Sequence, residues 1–527
     1  MTPRRVTDSP PAEGRPSPIA GGGAEERVTA DLVGVSVRSG FARLGSQGGQ
    51  VLLFVGSGVV LARLLTPGDF GIFAMVTSLT TFVAAFRDFG LQMAMLQGDQ
   101  VEERDVNALF WVALRLNLLT ALFVCAMAPV LGWFYGESRL VPVTLVMAGA
   151  IFLLGLTYVH ESLLMRRMRF GTLSLIDLGA LAASVLVGIA SALLGTGYWA
   201  LVHQSVVFFV VRSMGLWLAC DWKPKRRASR RRSSGRLREL LWYGSEFTAY
   251  RVLNYIGNHL SHVLIGYFGG ATALGLYQNA FRWARYPLLQ IYAPLQSVAV
   301  AALSRVRQEA GAFRAAVRQA FLPLYALVMP LLAFMFAEAS NVILVLLGGQ
   351  WRDAIPLFRV LCVAALAGTV LRALKWVYLA EGRTRRQLAW ALISTPVMVL
   401  GVVVGIRWGA FGVAVGFTIA SCALLPPAIA FCIRGSRLRM RDFLAPTWRP
   451  ALSSTASAAL LVLFQPRLPS GAPPLELGIG LVVFSMAYVG SWMAVPGGMK
   501  AAADVLRLLG KLRPSSHAGR TVPRGAR

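Results

Sequence analysis

Leu61-Ala-Arg-Leu-Leu-Thr-Pro-Gly-Asp-Phe-Gly71-Ile-Phe73 and Ile265-Gly-Tyr-Phe-Gly-Gly-Ala-Thr-Ala-Leu-Gly275-Leu-Tyr277 are the stretches on which the reading of this chain turns. Each makes a tight turn between two apolar runs, and each enters the second run through Gly-x-aromatic, at a constant offset of 204 residues. A weaker pair joins Gly197-Tyr-Trp-Ala to Gly409-Ala-Phe-Gly. A fixed internal offset is the mark of one architecture used twice.

The apolar runs around these turns recur along the chain, at 41–62, 70–96, 107–131, 141–163, 171–194, 197–219, 242–268, 273–301, 317–347, 354–380, 386–406, 409–433, 448–465 and 475–495. About 20 apolar residues cross a bilayer as a helix. Of the 527 residues, 56% are hydrophobic and 14% charged, with a mean hydropathy of +0.59. Soluble domains carry about 25% charge. The deficit runs from 41 to 497, so lipid is the solvent for most of the chain. Backbone in hydrocarbon must satisfy its own hydrogen bonds, which selects helices here; a barrel would show alternating segments of about ten residues. The sequence therefore predicts an all-α polytopic membrane protein of about 14 transmembrane helices. Six spans per copy is an even number, so the two lobes repeat in parallel, about an axis along the membrane normal. A terminal pair of helices follows.

The net charge of +28 follows topology rather than a nucleic-acid surface. Residues 221–240, between spans six and seven, hold nine basic residues against Asp221 and Glu239. Further clusters are Arg166, Arg167 and Arg169; Arg305, Arg307, Arg314 and Arg318; Arg383, Arg385 and Arg386; and Arg434, Arg437, Arg439 and Arg441. All follow even-numbered spans, whereas loops after odd spans are nearly free of Lys and Arg. The positive-inside rule then puts both termini in the cytoplasm, and the excess also attracts anionic lipid. The predicted organisation is a cytoplasmic tail (1–40), an N-terminal lobe (41–220), a basic linker (221–240), a C-terminal lobe (241–435), an added helix pair (436–499) and a basic tail (500–527). The first 40 residues lack the apolar core of a cleavable signal, so the first span reads as an uncleaved insertion signal.

The block Ala62-Arg63-Leu64-Leu65-Thr66-Pro67-Gly68-Asp69-Phe70-Gly71, continued by Arg87-Asp88-Phe89-Gly90-Leu91, resembles the start of Wzx-type polysaccharide flippases. So does Ala273-Leu274-Gly275-Leu276-Tyr277 with Pro287, Pro294-Leu295 and Ala302-Leu303-Ser304-Arg305. The resemblance covers about 41–440, departing in an arginine-rich linker and long tails. It implies a place in the superfamily of lipid II flippases and multidrug (MATE) exporters, with two lobes around a V-shaped cleft opening alternately to each side. The implied cargo is a polyprenyl-pyrophosphate-linked oligosaccharide, turned to the outer leaflet of a bacterial cytoplasmic membrane for O-antigen, capsule or exopolysaccharide. Lipid II and drugs are alternative cargoes for the same architecture, and a polysaccharide polymerase and assembly proteins are implied partners.

Charges inside spans mark an aqueous cavity by default, because they are costly in lipid. On span seven, Arg251, Asn254, Asn258, Ser261 and His262 share an arc of about 100°, with Tyr255 beside it. Asn and Ser alone would suit a helix–helix contact; an arginine with a histidine favours a wet cavity. On span eight, Gln278, Arg282 and Arg285 share one face. Arg115 lies at similar depth on span three. Arg115, Arg251, Arg282 and Arg285 are the candidate phosphate ligands, because the guanidinium fork suits bidentate phosphate contact. Arg212, Arg372 and Lys375 lie near cytoplasmic ends, where they can snorkel. Asp88, Glu161, Asp177, Glu246 and Glu338 read as counter-ions to arginines; coupling to a proton or sodium gradient, or to the membrane potential, needs no bound cofactor. The five cysteines form no CxxC and read as small buried hydrophobes. No Walker, HExxH or GxSxG element stands out, His259 and His262 lack a third ligand, and the external loops are short. These features argue against an enzyme.

Overall fold

The computed structural model describes residues 47–87, 103–225, 234–465 and 472–499, with backbone alone at 84–87, 103–105, 234–249 and 251. Asp88, both tails, linker residues 226–233, and the side chains of Arg251 and Glu246 lie outside the described residues. All regular structure among the described residues is helical.

The first helices are α1 (Gln47–Leu64), α2 (Pro67–Arg87), α3 (Glu103–Tyr135), α4 (Leu140–Arg166), α5 (Phe170–Leu193) and α6 (Trp199–Ala219). The helical stretch Ser234–Arg305 is broken at Gly270, whose φ of 71° only glycine tolerates cheaply, into α7 (234–269) and α8 (271–305). Ring contacts His262–Tyr277 and His259–Phe281 fold these two back on each other. Next come α9 (Ala310–Ala337), α10 (Ala339–Leu346), α11 (Ala354–Ala380), α12 (Thr384–Gly405), α13 (Gly409–Ala423) and α14 (Leu425–Ile433). The last two are α15 (Met440–Phe464) and α16 (Pro473–Ala494). Each predicted span falls on a helix, over its described part. Spans nine and twelve are each broken into two helices, α9–α10 and α13–α14.

Ten stretches among the described residues are long and apolar enough to cross a membrane. Two of them, Val252–Arg305 and Thr384–Ile433, reach 54 and 50 residues, more than twice what one crossing needs. Each is broken midway, the second at Gly409 (φ 64°). Leu119, Leu186, Leu218 and Met486 are 63–84% exposed, an apolar surface that only lipid would wet without penalty.

Helices α3 to α6 pack among themselves, α7 to α14 among themselves, and α15 and α16 against each other, with α15 also on α9. Helix α2 joins the two larger sets, lying on the α7–α8 pair and, less extensively, on α3 and α4. A methyl group on Gly71 would stand 1.7 Å from the Ala271 carbonyl oxygen, and one on Gly275 would stand 1.8 Å from that of Pro67. Pro67 and Ala271 are themselves 204 residues apart. The contact is thus reciprocal, each copy presenting the same two positions to the other, as at a two-fold interface. The motif glycines that reveal the repeat in sequence are the residues through which its copies touch.

The odd-to-even turns gather at one end of the bundle. There Arg63 Nη2 donates to the Val345 carbonyl at 2.7 Å, and Gln350 Nε2 to that of Leu65 at 2.9 Å. Trp351 Nε1 donates to the Ala62 carbonyl at 2.8 Å. Arg314 Nε donates to the Arg437 carbonyl (2.6 Å) and Arg383 Nη2 to that of Arg434 (3.2 Å), gathering the basic clusters after spans eight, ten and twelve.

Candidate functional site

Three adjoining cavities run through the helical body. The first, of about 150 Å³, lies among α7, α8, α11, α12 and α13 and is lined by Tyr250, Asn254, Asn258, Arg285, Arg372 and Lys375. The second, of about 370 Å³, lies among α1, α2, α7 and α8, with Tyr255, His259, His262, Gln278, Arg282 and Arg285 in its wall. A third, of about 520 Å³, is bounded by α1, α5, α6 and α8. Phe281 and Arg285 belong to both the first and the second, and Phe54 and Tyr286 to both the second and the third.

Arg282, Arg285, Arg372 and Lys375 have no carboxylate partner among the described residues. Aromatic rings stand in for one. The Arg282 Cζ lies 4.3 Å from the Phe54 ring centroid, and that of Arg285 lies 4.5 Å from Phe281. Lys375 Nζ sits 5.4 Å from the Tyr250 ring, and the Arg372 Cζ lies 6.0 Å from Tyr292. Cation–π contact offsets part of the cost of holding charge in an apolar body while leaving the N–H donors free for an anion.

The other set of helices treats its charge differently. Arg212, largely buried on α6, donates through Nε to Asp177 Oδ1 at 2.7 Å and through Nη2 to Glu161 Oε1 at 2.9 Å. Two carboxylates around one guanidinium leave that cluster with one net negative charge.

A family model described as "Polysaccharide biosynthesis protein" matches residues 60–356, more than half of the chain. The chain belongs to that family. It is 20% identical to the lipopolysaccharide biosynthesis protein WzxC of Escherichia coli, over 69% of this chain and 75% of that one. It is 24% identical to the teichuronic acid biosynthesis protein TuaB of Bacillus subtilis, over 59% of this chain and 64% of TuaB. It is 26% identical to the succinoglycan biosynthesis transport protein ExoT of Rhizobium meliloti, over 58% of this chain and 61% of ExoT. The aligned stretch thus spans less than two thirds of the latter two. Among solved structures, the lipid II flippase MurJ in an inward closed conformation superposes with a TM-score of 0.67 at 13% identity, covering 87% of this chain and 99% of MurJ. An inward-facing MATE transporter of the MOP superfamily gives 0.57 at 17% identity, covering 78% and 98%. The fold is that of this superfamily.

The sequence-predicted residues divide. Gln278, Arg282 and Arg285 do share one cavity wall, as their spacing on α8 requires. The polar arc of α7 is not one wall. Asn254 and Asn258 face the first cavity, His262 and Tyr255 the second, and Ser261 is buried with its Oγ 3.3 Å from His262 Nδ1. The helix passes between two cavities, so a 100° arc is shared between them. Arg115 stands apart: it is exposed on α3, one and two turns from exposed Leu118, Leu119 and Leu122, and lines none of the three cavities. The side chain of Arg251 lies outside the described residues.

Arg372 and Lys375, expected to snorkel, line the first cavity instead. Arg372 and Lys375 turn inward beside Arg285, because α11 packs against the α7–α8 pair on the face that carries them. Their i, i+3 spacing is the signal that already singled out α8. Arg212 is held by Glu161 and Asp177 rather than reaching for an interface, which bears out those two carboxylates as counter-ions. Glu338, by contrast, is buried among amides, accepting from Asn341 Nδ2 at 2.7 Å and Gln465 Nε2 at 3.2 Å.

Proposed function

We propose that this chain is a flippase that carries a polyprenyl-pyrophosphate-linked oligosaccharide across the bacterial cytoplasmic membrane by alternating access, for surface or secreted polysaccharide. The observation that carries this reading is the set of carboxylate-free cations, Arg282, Arg285, Arg372 and Lys375, around adjoining cavities inside an apolar helical body. Such an arrangement receives a dense anion such as pyrophosphate, whereas a cationic drug would be repelled by it. No bond need break during transfer, so no catalytic group is required, and a proton gradient, a sodium gradient or the membrane potential would supply the drive. The seal at the odd-to-even turns is the outer gate in this reading, with both termini and the basic clusters cytoplasmic and a polysaccharide polymerase receiving the product.

The test is complementation of a deletion strain. Arg285→Ala with Arg372→Ala, expressed at wild-type level, should abolish surface polymer and cause lipid-linked oligosaccharide to accumulate without lysis. Lysine at both positions should restore part of the polymer. Normal polymer from the double alanine variant would overturn the assignment, and lysis on deletion would favour lipid II as cargo.

A further inference from the structure

The third cavity carries a different chemistry from the other two. Gln47 and Gln50 come to it from α1, Ser174 and Asp177 from α5, and Gln290 from α8, with Phe54 and Tyr286 stacked 4.6 Å apart in its wall. Among the described residues no Lys or Arg lines it. Primary amides both donate and accept, which matches the hydroxyls of a sugar, each also a donor and an acceptor. An aromatic ring beside them offers an electron-rich face to the C–H side of a pyranose. The volume, about 520 Å³, is in the range of sites for small organic ligands.

Position argues the same way. The Phe54–Tyr286 pair is the wall shared with the second cavity, and Arg282 lies over Phe54 on that side. A pyrophosphate held by Arg282 and Arg285 would therefore have its directly bonded sugar at this partition. We infer that the amide-lined cavity between α1, α5, α6 and α8 is a subsite for the first sugars of the carried glycan, recognised by Gln50, Gln290 and the Phe54–Tyr286 pair. The inference rests on the flippase reading and adds a second binding determinant to it. Asp177 keeps only part of Arg212, which it shares with Glu161, so the subsite accepts a neutral sugar and disfavours a uronate.

The experiment is binding of two probes to the purified full-length chain in nanodiscs: undecaprenyl pyrophosphate, and undecaprenyl-pyrophosphoryl-glucose. Wild type should bind the glucose-bearing lipid about tenfold tighter, the effect of two amide hydrogen-bond sets. Gln50→Ala with Gln290→Ala should erase that difference and leave the bare pyrophosphate unchanged. Phe54→Leu, which keeps an apolar residue at the partition, should narrow the difference without the loss of both amides. Arg285→Ala should weaken both probes alike. Equal binding of the two probes by wild type would overturn the sugar subsite while leaving the flippase reading intact. So would equal weakening of both probes by the glutamine variants. Failure of wild type to bind either probe, or no effect of Arg285→Ala on either, would refute the cationic site itself.

Discussion

Replacing Gly275 by alanine asks whether the α2–α8 seam is the contact about which the two copies of the repeat move. The new Cβ would lie 1.8 Å from the Pro67 carbonyl oxygen and 3.0 Å from the Gly71 nitrogen. Carbon atoms of this kind are essentially never found closer than 3.0 Å to a neighbour, so the two backbones must part by at least about 1.2 Å. Neither obstacle is a side chain that could rotate away. Overpacking of this sort costs about 1–3 kcal/mol, and charged against the seam-closed state alone it shifts the closed–open equilibrium by about 5- to 150-fold. Cysteine cross-linking reads the seam directly. A Cβ at Gly68 would sit 3.5 Å from the Thr272 hydroxyl, within reach of a disulfide between Gly68→Cys and Thr272→Cys. In that background Gly275→Ala should lower the ratio of bridged to unbridged protein at least about fivefold and reduce polymer export. Gly149→Ala, where nothing lies within 4 Å of the added methyl, should do neither. Unchanged cross-linking and export in Gly275→Ala would refute the seam as a tight, two-fold gate.

Gly405→Ala should destabilise the chain by a similar amount. Its methyl would meet the Gly412 carbonyl oxygen at 2.3 Å across the α12–α13 hairpin, so a thermal ramp read by size-exclusion chromatography should show an earlier loss of monodisperse protein. Arg212→Ala leaves two part-exposed carboxylates without their partner and should cost about 1–3 kcal/mol. Adding Glu161→Gln and Asp177→Asn should recover most of the lost thermal stability; no recovery would mean that Arg212 acts through packing. Asp442→Asn should cost about 1–2 kcal/mol at the start of α15. The fully buried Asp442 carboxylate accepts the Arg439 backbone N–H at 2.8 Å there, and protease protection of the 434–445 segment would report the loss. The two bonds that Arg318 donates to the buried Asp442 Oδ1, at 2.8 and 2.5 Å, weaken in the same variant and add to the loss.

How much was legible follows from where each determinant resides. Span positions could be read because lipid forces every helix to satisfy its backbone within its own sequence. Gly71 and Gly275 were found as a repeat, but their role as the touching point could not be inferred, since it needs the two helices brought together. Gly401, Gly405, Gly412 and Gly416, spaced as two small-xxx-small pairs, were overlooked although that spacing signals close helix approach. Gln278, Arg282 and Arg285 share a face in the sequence and a wall in the structure because a single helix fixes their spacing. Nearness to a helix end points Arg372 and Lys375 toward the interface, whereas the direction in which α11 presents them depends on its neighbours.

The sequence by itself determined a helical membrane body, with one hairpin motif recurring at an offset of 204 residues and basic clusters after alternate helices. These are consequences of local hydrogen bonding and of charge order along one chain. Only the tertiary structure decided that Arg285 meets Arg372 and Lys375 while Arg115 does not, that α7 divides two cavities, and that an amide-lined chamber adjoins the cationic one. Those outcomes depend on how each helix is rotated about its axis, and the rotation is set by close contacts such as Gly71 against Ala271, which lie far apart in the chain.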